Sequence, residues 1–481
     1  MKLRELLNGL TILSSSADLD ADIREVRYDS RAVEAGDLFV AITGAETDGH
    51  KYIPMAREKG AACVVCQTVP EDGAPYVQVA DSRRALAVIS ANRFDHPADE
   101  LTMIGVTGTS GKTTSTYLIK SILEQKAGAK VGLIGTIQNM IGDRVLHTER
   151  TTPESYELQK LLREMADAGC SHVVMEASSH ALYLDRVYGI RYAVGVYTNL
   201  SRDHLDFHHT MEEYCDAKAI LFDNCDVGVY NADDPWHERL LQNARCPRRF
   251  SYAVHTQADL TAKNVQLHPG SVDFDAEADT EWAQVHVDTP ALFTVYNALD
   301  AMACCWNLGV PLAECADALA KSHGVKGRME IIPTPGKDYT ILNDYSHKPD
   351  ALENVLQSVK GFAKGRTVVL FGCGGDRDKT KRPVMGAIAA QLADFVIVTS
   401  DNPRTEKPEA IIADILEGMK DTATPYVTIP DRVEAIHYAM DHAQPGDVII
   451  LAGKGHEDYQ EINHKHYPMD ERVIVAAHLN K

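Results

Sequence analysis

The segment 105–114 reads Gly-Val-Thr-Gly-Thr-Ser-Gly-Lys-Thr-Thr and constrains the fold more than any other part of the chain. It follows the apolar run 101–104 and precedes residues 115–119, whose apolar spacing is helical. A strand, a glycine-rich turn and a helix start together bind nucleotide phosphates, because inward-facing N–H groups and the positive helix end attract anions. The sequence therefore predicts a phosphate-binding loop in an α/β domain.

Each kind of residue in this loop has an expected task. Backbone N–H groups contact phosphate oxygens, Lys112 adds a point charge, and the Thr113 hydroxyl is a candidate Mg²⁺ ligand. Val106 stands where the strict phosphate-loop pattern has glycine. The motif is therefore identified by the shorter run 108–113. A glycine-rich turn with a chance lysine is the less favoured alternative, because a strand and a helix flank the turn. The predicted loop residues are Gly108, Thr109, Ser110, Gly111, Lys112, Thr113 and Thr114.

Length and charge limit the class of protein. A chain of 481 residues suggests about three domains, and no apolar run approaches the ~20 residues of a membrane span. The net charge of −21 argues against nucleic-acid or anionic-membrane partners, so anionic ligands need local basic pockets. Ten cysteines without regular spacing are typical of reduced thiols in a cytoplasmic protein. The pair Cys63 and Cys66 is more typical of a core strand than of a metal or redox site.

Breaks in the periodicity predict an α/β protein of three domains. They are a smaller N-terminal α/β domain (1–97), a central parallel-sheet ATPase domain with the phosphate loop (98–328), and a Rossmann-like C-terminal domain (329–481). Strands are predicted at 37–42, 61–65, 76–79, 131–134, 172–176, 193–198 and 227–231. In residues 259–290, apolar and polar residues alternate over short runs. This pattern indicates an antiparallel excursion, a segment of antiparallel strands.

Three apolar runs of the C-terminal region each lead into a polar loop. The runs and their loops are 367–371 with 372–378, 395–399 with 400–404, and 448–451 with 453–457. In an open parallel sheet such loops meet at the carboxyl edge, where ligands bind. Because the loops carry Arg377, Arg404 and Glu457, a small zwitterionic ligand is favoured over three unrelated surface turns.

The central region carries a second set of chemical groups. Glu176 ends one predicted strand and His204 follows another, so both could join Thr113 in binding Mg²⁺. The alternative, a buried hydrogen-bonded glutamate and a loop histidine, stays open from these residues alone. Lys218 lies in a helical run, 212–222, where the spacing alone is more typical of a solvated lysine.

The motifs together resemble those of the Mur ligases. The resemblance runs over essentially the whole chain, in the family's order and spacing, at 108–114, 176–180, 198–206, 231–234, 327–330 and 344–347. Further segments resemble the members that add the third residue of the peptidoglycan stem peptide. These segments are 29–31, 151–153, 372–378, 401–404 and 453–460.

The resemblance implies an ATP-dependent amide ligase, with Mg²⁺ as cofactor, of cytoplasmic peptidoglycan precursor synthesis. It would join meso-diaminopimelate to UDP-N-acetylmuramoyl-L-alanyl-D-glutamate through an acyl phosphate. Its partners would be small molecules and the chain a monomer. The alternatives are an L-lysine-adding Mur ligase, a ligase resembling folylpolyglutamate synthetase or the cyanophycin enzymes, and a non-catalytic phosphate-loop module. Amino-acid-dependent phosphate release from ATP separates the last of these from a ligase.

The resemblance also implies roles for individual residues. The reaction would depend on Lys112, His204, Lys218 and Arg328. Besides the phosphate loop, ATP would contact Asn297, Arg328 and Asp344. Mg²⁺ would bind Thr113, Glu176, His204 and Lys218, the last as a carbamate formed with CO₂.

Two further ligands have implied contacts. The UDP-muramoyl peptide would contact the 44–47 loop, Ser30, Thr151, Thr152, Ser178 and Arg186. Diaminopimelate would contact Arg377, Asp401, Asn402, Pro403, Arg404, Gly453 and Glu457. Two positions depart from the family pattern: Leu184 replaces a polar peptide contact of some relatives, and Ser346 replaces a usual alanine.

Overall fold

The computed structural model describes residues 1–44, 47–71, 73–242, 244–268, 270–322 and 324–480. Two residues of the implied 44–47 loop, Ala45 and Glu46, lie outside this description. The chain divides into two compact units, Met1–Tyr252 with Ala303–Val310, and Ala253–Met302 with Pro311–Lys481. Within the described ranges, no helix is long and apolar enough to cross a membrane.

The first part of unit 1 folds around a five-stranded sheet. Its strands are β1 (Ser14–Ser15), β2 (Val26–Arg27), β3 (Leu38–Val40), β4 (Cys63–Cys66) and β5 (Tyr76–Gln78), and its helices are α1 (Leu3–Leu6), α2 (Ile53–Glu58) and α3 (Ser82–Arg93). The order is β1-β5-β4-β3-β2, and all pairs are parallel except β1 with β5. Strands β3 to β5 confirm the predicted ones. Cys63 and Cys66 are both buried in β4, and burial raises the pKa of both thiols, as in a core strand.

A larger sheet forms the rest of unit 1. Its strands are β6 (Thr102–Thr107), β7 (Val131–Ile134), β8 (Asn139–Ile141), β9 (Arg144–Leu146), β10 (His172–Glu176), β11 (Tyr192–Tyr197), β12 (Cys225–Asn231) and β13 (Arg248–Ala253). Its helices are α4 (Lys112–Lys126), α5 (Ser155–Asp167), α6 (Ser179–Tyr183), α7 (Leu205–His208), α8 (Met211–Asp223) and α9 (His237–Gln242).

The order of these strands is β13-β12-β11-β6-β10-β7-β8-β9. The pairs from β13 to β7 are parallel, and β8 and β9 add an antiparallel edge. Strand β6 lies between β10 and β11, so the loops that follow these three strands open at the same edge of the sheet. Gly105 permits this packing, because a Cβ there would lie 2.7 Å from Leu221 Cδ1 of α8.

Unit 2 contains the remaining elements. Its strands are β14 (Leu260–Leu267), β15 (Val272–Ala278), β16 (Glu281–Val287), β17 (Glu330–Ile332), β18 (Thr340–Asp344), β19 (Thr367–Phe371), β20 (Phe395–Val398), β21 (Tyr426–Thr428), β22 (Val448–Ala452), β23 (Tyr459–Ile462) and β24 (Lys465–Pro468). Its helices are α11 (Leu312–Leu319), α12 (Pro349–Lys360), α13 (Lys381–Leu392), α14 (Pro408–Glu417), α15 (Arg432–Asp441) and α16 (Glu471–Leu479), while α10 (Leu292–Asn307) runs from unit 2 into unit 1.

Strands β14, β15 and β16 pair antiparallel, which confirms the predicted excursion. The main sheet of unit 2 has the order β17-β18-β22-β19-β20-β21, and only β17 is antiparallel to its neighbour. Strands β22, β19 and β20 are neighbours, so the three predicted polar loops do meet at one edge.

A fully buried ion pair joins α15 to α16. Arg432 Nε donates to Glu471 Oε1 at 2.8 Å, and both side chains are 0% exposed. The guanidinium also donates to the carbonyl oxygens of Ser400 and Ala452, at 3.2 and 2.9 Å. The pair therefore fixes the ends of β20 and β22, from which two of the polar loops start.

Glu471→Ala is expected to lower the free energy of unfolding by about 3–5 kcal/mol, because it leaves the Arg432 guanidinium buried without its counter-ion. Denaturant unfolding followed by circular dichroism measures the loss. The control is Glu417→Ala, which removes an exposed partner of Lys420 and should cost less than about 1 kcal/mol. Equal losses in the two variants would contradict the structural role of the buried pair.

Candidate functional site

The loop between β6 and α4 has the predicted strand, turn and helix arrangement. Gly111 precedes α4 with φ +88°, a left-handed value that glycine adopts without strain. At Gly108, φ is +150°, and an added Cβ would lie 1.9 Å from Thr198 Oγ1. Thr198 Oγ1 also donates to Ser110 O at 2.6 Å. The loop is thus folded tightly against the segment after β11, and glycine is required at 108.

Two lysines converge on one carbonyl oxygen of this loop. Lys112 Nζ donates to Gly108 O and Thr109 O, both at 2.9 Å, and Lys218 Nζ donates to Gly108 O at 2.9 Å. Lys218 is 1% exposed, and its Nζ lies 4.3 Å from the centre of the Tyr214 ring. It is therefore not the solvated helix lysine that its spacing alone favours. Two cationic side chains thus contact the same carbonyl oxygen of the loop.

Glu176, at the end of β10, is a carboxylate that hydrogen-bonds to Thr113 of the predicted loop. Its Oε1 accepts from Thr113 Oγ1 at 3.0 Å and from Thr136 N at 2.8 Å, and its Oε2 accepts from Thr136 Oγ1 at 3.0 Å. The side chain is almost fully buried, and a Cβ at Gly135 would lie 2.5 Å from Oε1. The structure thus brings together Thr113 and Glu176, as the sequence predicts.

The implied peptide contacts lie beside Glu176. Thr152 Oγ1 donates to Glu176 O at 2.7 Å and accepts from Ser178 N at 3.1 Å. Arg186 Nη1 donates to Thr152 O at 3.3 Å, and Thr151 Oγ1 lies 3.0 Å from Thr136 Oγ1. Four of the five single residues implied in peptide binding thus connect to the phosphate loop through the hydrogen bonds around Glu176. The fifth, Ser30, is buried in the N-terminal part, where its Oγ donates to Met55 Sδ at 3.5 Å.

His204 follows β11 and adopts a left-handed φ of +53°. Its Nε2 lies 3.0 Å from Asp203 Oδ2, and its ring packs edge-on against those of His180 and Tyr214. Burial lowers the pKa of His180. Among the described residues, no group of three or more His, Cys, Asp or Glu side chains is arranged to hold a metal. His204 and Lys218 thus both contact the Tyr214 ring. The described side chains around them do not form a complete set of metal ligands.

The implied adenosine and phosphate contacts of unit 2 occupy the end of β18 and α10. Asp344 Oδ2 accepts from Met329 N at 2.7 Å, its Oδ1 accepts from Ser346 Oγ, and burial raises its pKa. The neighbouring Arg328 lies over the Tyr345 ring, with its Cζ 4.9 Å from the ring centre. Ser346 thus gives Asp344 a hydroxyl donor that alanine could not supply. Asn297 is buried on α10.

A buried ammonium joins two of the three polar loops of unit 2, those after β20 and β22. Lys454 is fully buried, and its Nζ donates to Glu457 Oε2 at 2.6 Å and to Asn402 Oδ1 at 2.9 Å. Asn402 Nδ2 also donates to Glu457 Oε2 at 2.9 Å. A Cβ at Gly453 would lie 2.7 Å from Asp401 Oδ2, so glycine is needed there. These contacts hold Asp401, Asn402 and Glu457 together.

Two contacts within unit 2 hold the Arg404 side chain in place. Its Nε pairs with Glu461 Oε2 at 2.8 Å, its Nη1 donates to Gly375 O at 2.9 Å, and its φ is +51°. A guanidinium has five N–H groups, and within the described residues these two contacts engage Nε and Nη1. Pro403 precedes it in the same buried loop, whereas Arg377 is exposed, with Nη1 donating to Asp376 O at 3.1 Å.

Sequence reasoning missed several residues of these networks. Tyr214, Glu154, Lys454 and Glu461 were not predicted, although each contacts a predicted residue. For Lys454 a signal was present, because it lies inside the segment 453–460. Glu154 directly follows the segment 151–153. Tyr214 and Glu461 carry no comparable local signal.

Family models match three segments of the chain. "Mur ligase family, catalytic domain" matches residues 22–94, "Mur ligase middle domain" matches 106–305, and "Mur ligase, glutamate ligase domain" matches 327–455. Together they cover most of the chain.

Individual proteins match over nearly the full length. A protein of Clostridium botulinum named UDP-N-acetylmuramoyl-L-alanyl-D-glutamate--2,6-diaminopimelate ligase is 46% identical over 94% of this chain and 94% of its own. The protein of the same name from Clostridium tetani is 46% identical over 99% of this chain and 98% of its own. A solved structure of a ligase of that name is 33% identical, with a TM-score of 0.73, and covers 100% of this chain and 99% of its own.

Gly108→Ala is expected to weaken ATP binding strongly, because the new methyl group would overlap Thr198 Oγ1 and displace the loop. Isothermal titration with ATP measures the change. The matched control is Gly128→Ala, since Gly128 also has a positive φ, +61°, but its Cβ would meet nothing within 4 Å. The control should keep ATP affinity at some cost in stability, roughly 1–2 kcal/mol. Equal ATP affinity of both variants and the unmutated protein would contradict the predicted loop.

Proposed function

The chain belongs to the Mur ligase family, and we propose that it is the ATP-dependent ligase that adds meso-diaminopimelate to UDP-N-acetylmuramoyl-L-alanyl-D-glutamate. The product would be a cytoplasmic precursor of peptidoglycan, and the enzyme would act as a monomer. The domains would be 1–97 for the uridine nucleotide, 98–328 for ATP and 329–481 for the amino acid.

The observation that carries this proposal is the network around Glu176. It connects the phosphate-loop residue Thr113 to Thr152, and through Thr152 to Ser178. Such a network would hold the γ-phosphate of ATP beside the carboxylate of a peptide substrate. A phosphate loop that only binds a nucleotide has no need for this second set of contacts.

The reaction requires two displacements. An oxygen of the D-glutamate γ-carboxylate attacks the γ-phosphorus of ATP, the bond to the β,γ-bridging oxygen breaks, and ADP leaves. The neutral amine of diaminopimelate then attacks the acyl carbon, an amide C–N bond forms, and inorganic phosphate leaves as the amine loses its extra proton. Lys112 and Arg328 would stabilise the negative charge that spreads over the phosphoryl oxygens.

The residues present fit a magnesium ion. The Thr113 hydroxyl lies 3.0 Å from a Glu176 carboxylate oxygen, and such hard oxygen ligands are those that Mg²⁺ prefers. We assign Thr113, Glu176, His204 and carbamylated Lys218 as the residues that would hold it. Bound there, Mg²⁺ would neutralise charge on the phosphate oxygens.

The carbamate of Lys218 is supported by the two lysines at Gly108 O. An ammonium in that position repels the Lys112 charge, and in a buried site this repulsion is weakly screened. The neutral Lys218 amine adds through its nitrogen to the carbon of CO₂ and loses a proton to solvent. The resulting anion would attract Lys112 instead.

The loops of unit 2 would recognise the amino acid. Diaminopimelate differs from lysine by a second carboxylate at the far end, and a planar guanidinium is the best donor to a buried carboxylate. Arg404 would bind that carboxylate, while Glu457, with Asp401 and Asn402, would bind the ammonium at the same end. Arg377 would contact a further charged group.

An assay of phosphate release from ATP tests the whole proposal. Release should require the UDP-muramoyl dipeptide and meso-diaminopimelate together, and the product should carry one added residue by mass spectrometry. Release that depends on neither substrate would favour a plain ATPase. Efficient release with L-glutamate and a folate in place of these substrates would favour a folylpolyglutamate-synthetase-like ligase.

Lys218→Ala should be nearly inactive, because it removes the carbamate that would bind Mg²⁺. Added short carboxylic acids such as formate or acetate should restore part of the activity by filling the vacated anionic position. The control is Lys160→Ala on the exposed side of α5, which should keep full activity. In the unmutated enzyme, ¹³C NMR with labelled bicarbonate should show a carbamate signal that Lys218→Ala lacks. An active Lys218→Ala enzyme without that signal would refute this role.

The unmutated enzyme should use meso-diaminopimelate efficiently and L-lysine very poorly. Lysine would leave the end of Arg404 desolvated and without a carboxylate, and such sites can reject the analogue by roughly 10⁴-fold. Arg404→Ala should lose most activity with diaminopimelate, and Arg404→Lys should recover little, since an ammonium lacks the fork geometry. The measurement is kcat/KM for each amino acid. Comparable values for both amino acids would refute the specificity and leave the ligase assignment standing.

A further inference from the structure

A buried carboxylate lies at the start of α5, directly after the implied peptide contacts. Glu154 is 5% exposed, and its Oε1 accepts from Ser155 N at 3.2 Å, which fixes the side chain at the helix N-terminus. Its Oε2 lies 3.3 Å from Arg186 Nε and 3.5 Å from Arg83 Nη1. Two guanidinium groups thus share one carboxylate oxygen.

The charges around Glu154 do not balance. The Arg83 and Arg186 side chains are only 14% and 15% exposed, so neither charge is well solvated. The other ionisable groups facing the cluster are Arg150 with Glu157, Asp185 with its partner Arg84, and the side chains of Tyr28 and His180. The two arginine and carboxylate pairs each carry opposite charges, burial lowers the pKa of His180, and Glu157 accepts from Tyr28 Oη at 2.9 Å. The cluster therefore keeps an excess of one positive charge. Poorly solvated excess charge is stabilised by an anionic ligand.

Arg83 reaches this position from the N-terminal part of unit 1. Its Nε donates to Thr43 O at 2.8 Å, which anchors the side chain. Its Nη1 has only two long contacts, at 3.5 Å, to Glu154 Oε2 and Leu184 O. Within the described part of the chain, no protein acceptor is recorded for Nη2. The Arg83 guanidinium is thus anchored through Nε, and its Nη2 donors can bind a ligand.

The substrate of the proposed reaction has one carboxylate that fits. The D-glutamate γ-carboxylate must reach ATP, and the lactyl and alanyl carboxyls are already in amide bonds. Only the α-carboxylate of D-glutamate remains, and it must be bound without reacting. Leu184 cannot hydrogen-bond through its side chain, so polar contacts at this side of the peptide must come from neighbouring groups.

We propose that Arg83 binds the α-carboxylate of the D-glutamate residue together with Arg186, with Glu154 holding both guanidinium groups in place. This inference rests on the proposed function, because it takes the UDP-muramoyl dipeptide as the ligand. It adds a substrate-binding residue from α3, a helix outside the central sheet. Binding of the peptide would then also hold the Thr43 segment against the central sheet.

Titration calorimetry on the full-length protein tests the contact with three ligands. They are UDP-N-acetylmuramoyl-L-alanyl-D-glutamate, its D-isoglutamine analogue with an α-carboxamide, and UDP-N-acetylmuramoyl-L-alanine. Arg83→Ala should weaken binding of the first roughly 10- to 100-fold, the loss of a charge-assisted hydrogen bond. It should change binding of the other two by less than about twofold. Arg83→Lys should recover part of the loss.

The neighbouring arginine supplies the matched control. Arg84 pairs with Asp185 at the surface, with 54% of its side chain exposed, so Arg84→Ala should bind all three ligands like the unmutated protein. An equal loss for all three ligands in Arg83→Ala would overturn the proposal, since it would indicate a contact to the nucleotide or a general structural role. Unchanged binding of the dipeptide would also overturn it. If the unmutated protein ligates diaminopimelate in either case, the proposed function stands and only the Arg83 contact fails.

Discussion

The hydrogen bonds of one buried carboxylate, that of Glu176, organise the candidate site of unit 1. A buried carboxylate must be fully hydrogen-bonded to be tolerated, and Glu176 meets this need with the Thr113 hydroxyl and both donors of Thr136. Its backbone carbonyl accepts from Thr152. The strand end, the phosphate loop and the peptide contacts are therefore fixed by a single residue. Gly135 is part of the same constraint, since a side chain there would occupy the position of Oε1.

A buried ammonium has the corresponding role in unit 2. Lys454 contacts the loops after β20 and β22, and each of its partners is a residue implied in amino-acid binding. A lysine with no exposure is stable as an ammonium only if its donors are satisfied, so Asn402 and Glu457 cannot move independently of it. Such preorganisation lowers the entropy lost when a ligand binds.

Much of this arrangement could be predicted from local sequence, because strands and turns are short-range features. The strands 131–134 and 172–176 have the predicted bounds, and the meeting of the three polar loops follows from the parallel sheet. The environment of Lys218 could not be predicted, since its acceptor Gly108 lies 110 positions away. Arg83 and Glu154 are 71 positions apart. Contacts of this kind depend on how helices pack on the sheet, which leaves no periodic signal in the chain.

The distribution of buried charge matches the chemistry of the proposed ligands. The chain carries a net charge of −21, which repels polyanions at long range. In unit 1, Lys112 and Lys218 both donate to Gly108 O, and Arg83 and Arg186 share the single carboxylate of Glu154. In unit 2 the buried groups are instead paired with opposite charges, Lys454 with Glu457 and Arg404 with Glu461. The cationic groups of unit 1 would suit phosphate and carboxylate groups, and the charge pairs of unit 2 would suit a zwitterion. Because a ligand must replace the solvation that each buried charge has lost, ligand groups that match these positions in charge and shape would be favoured over those that do not.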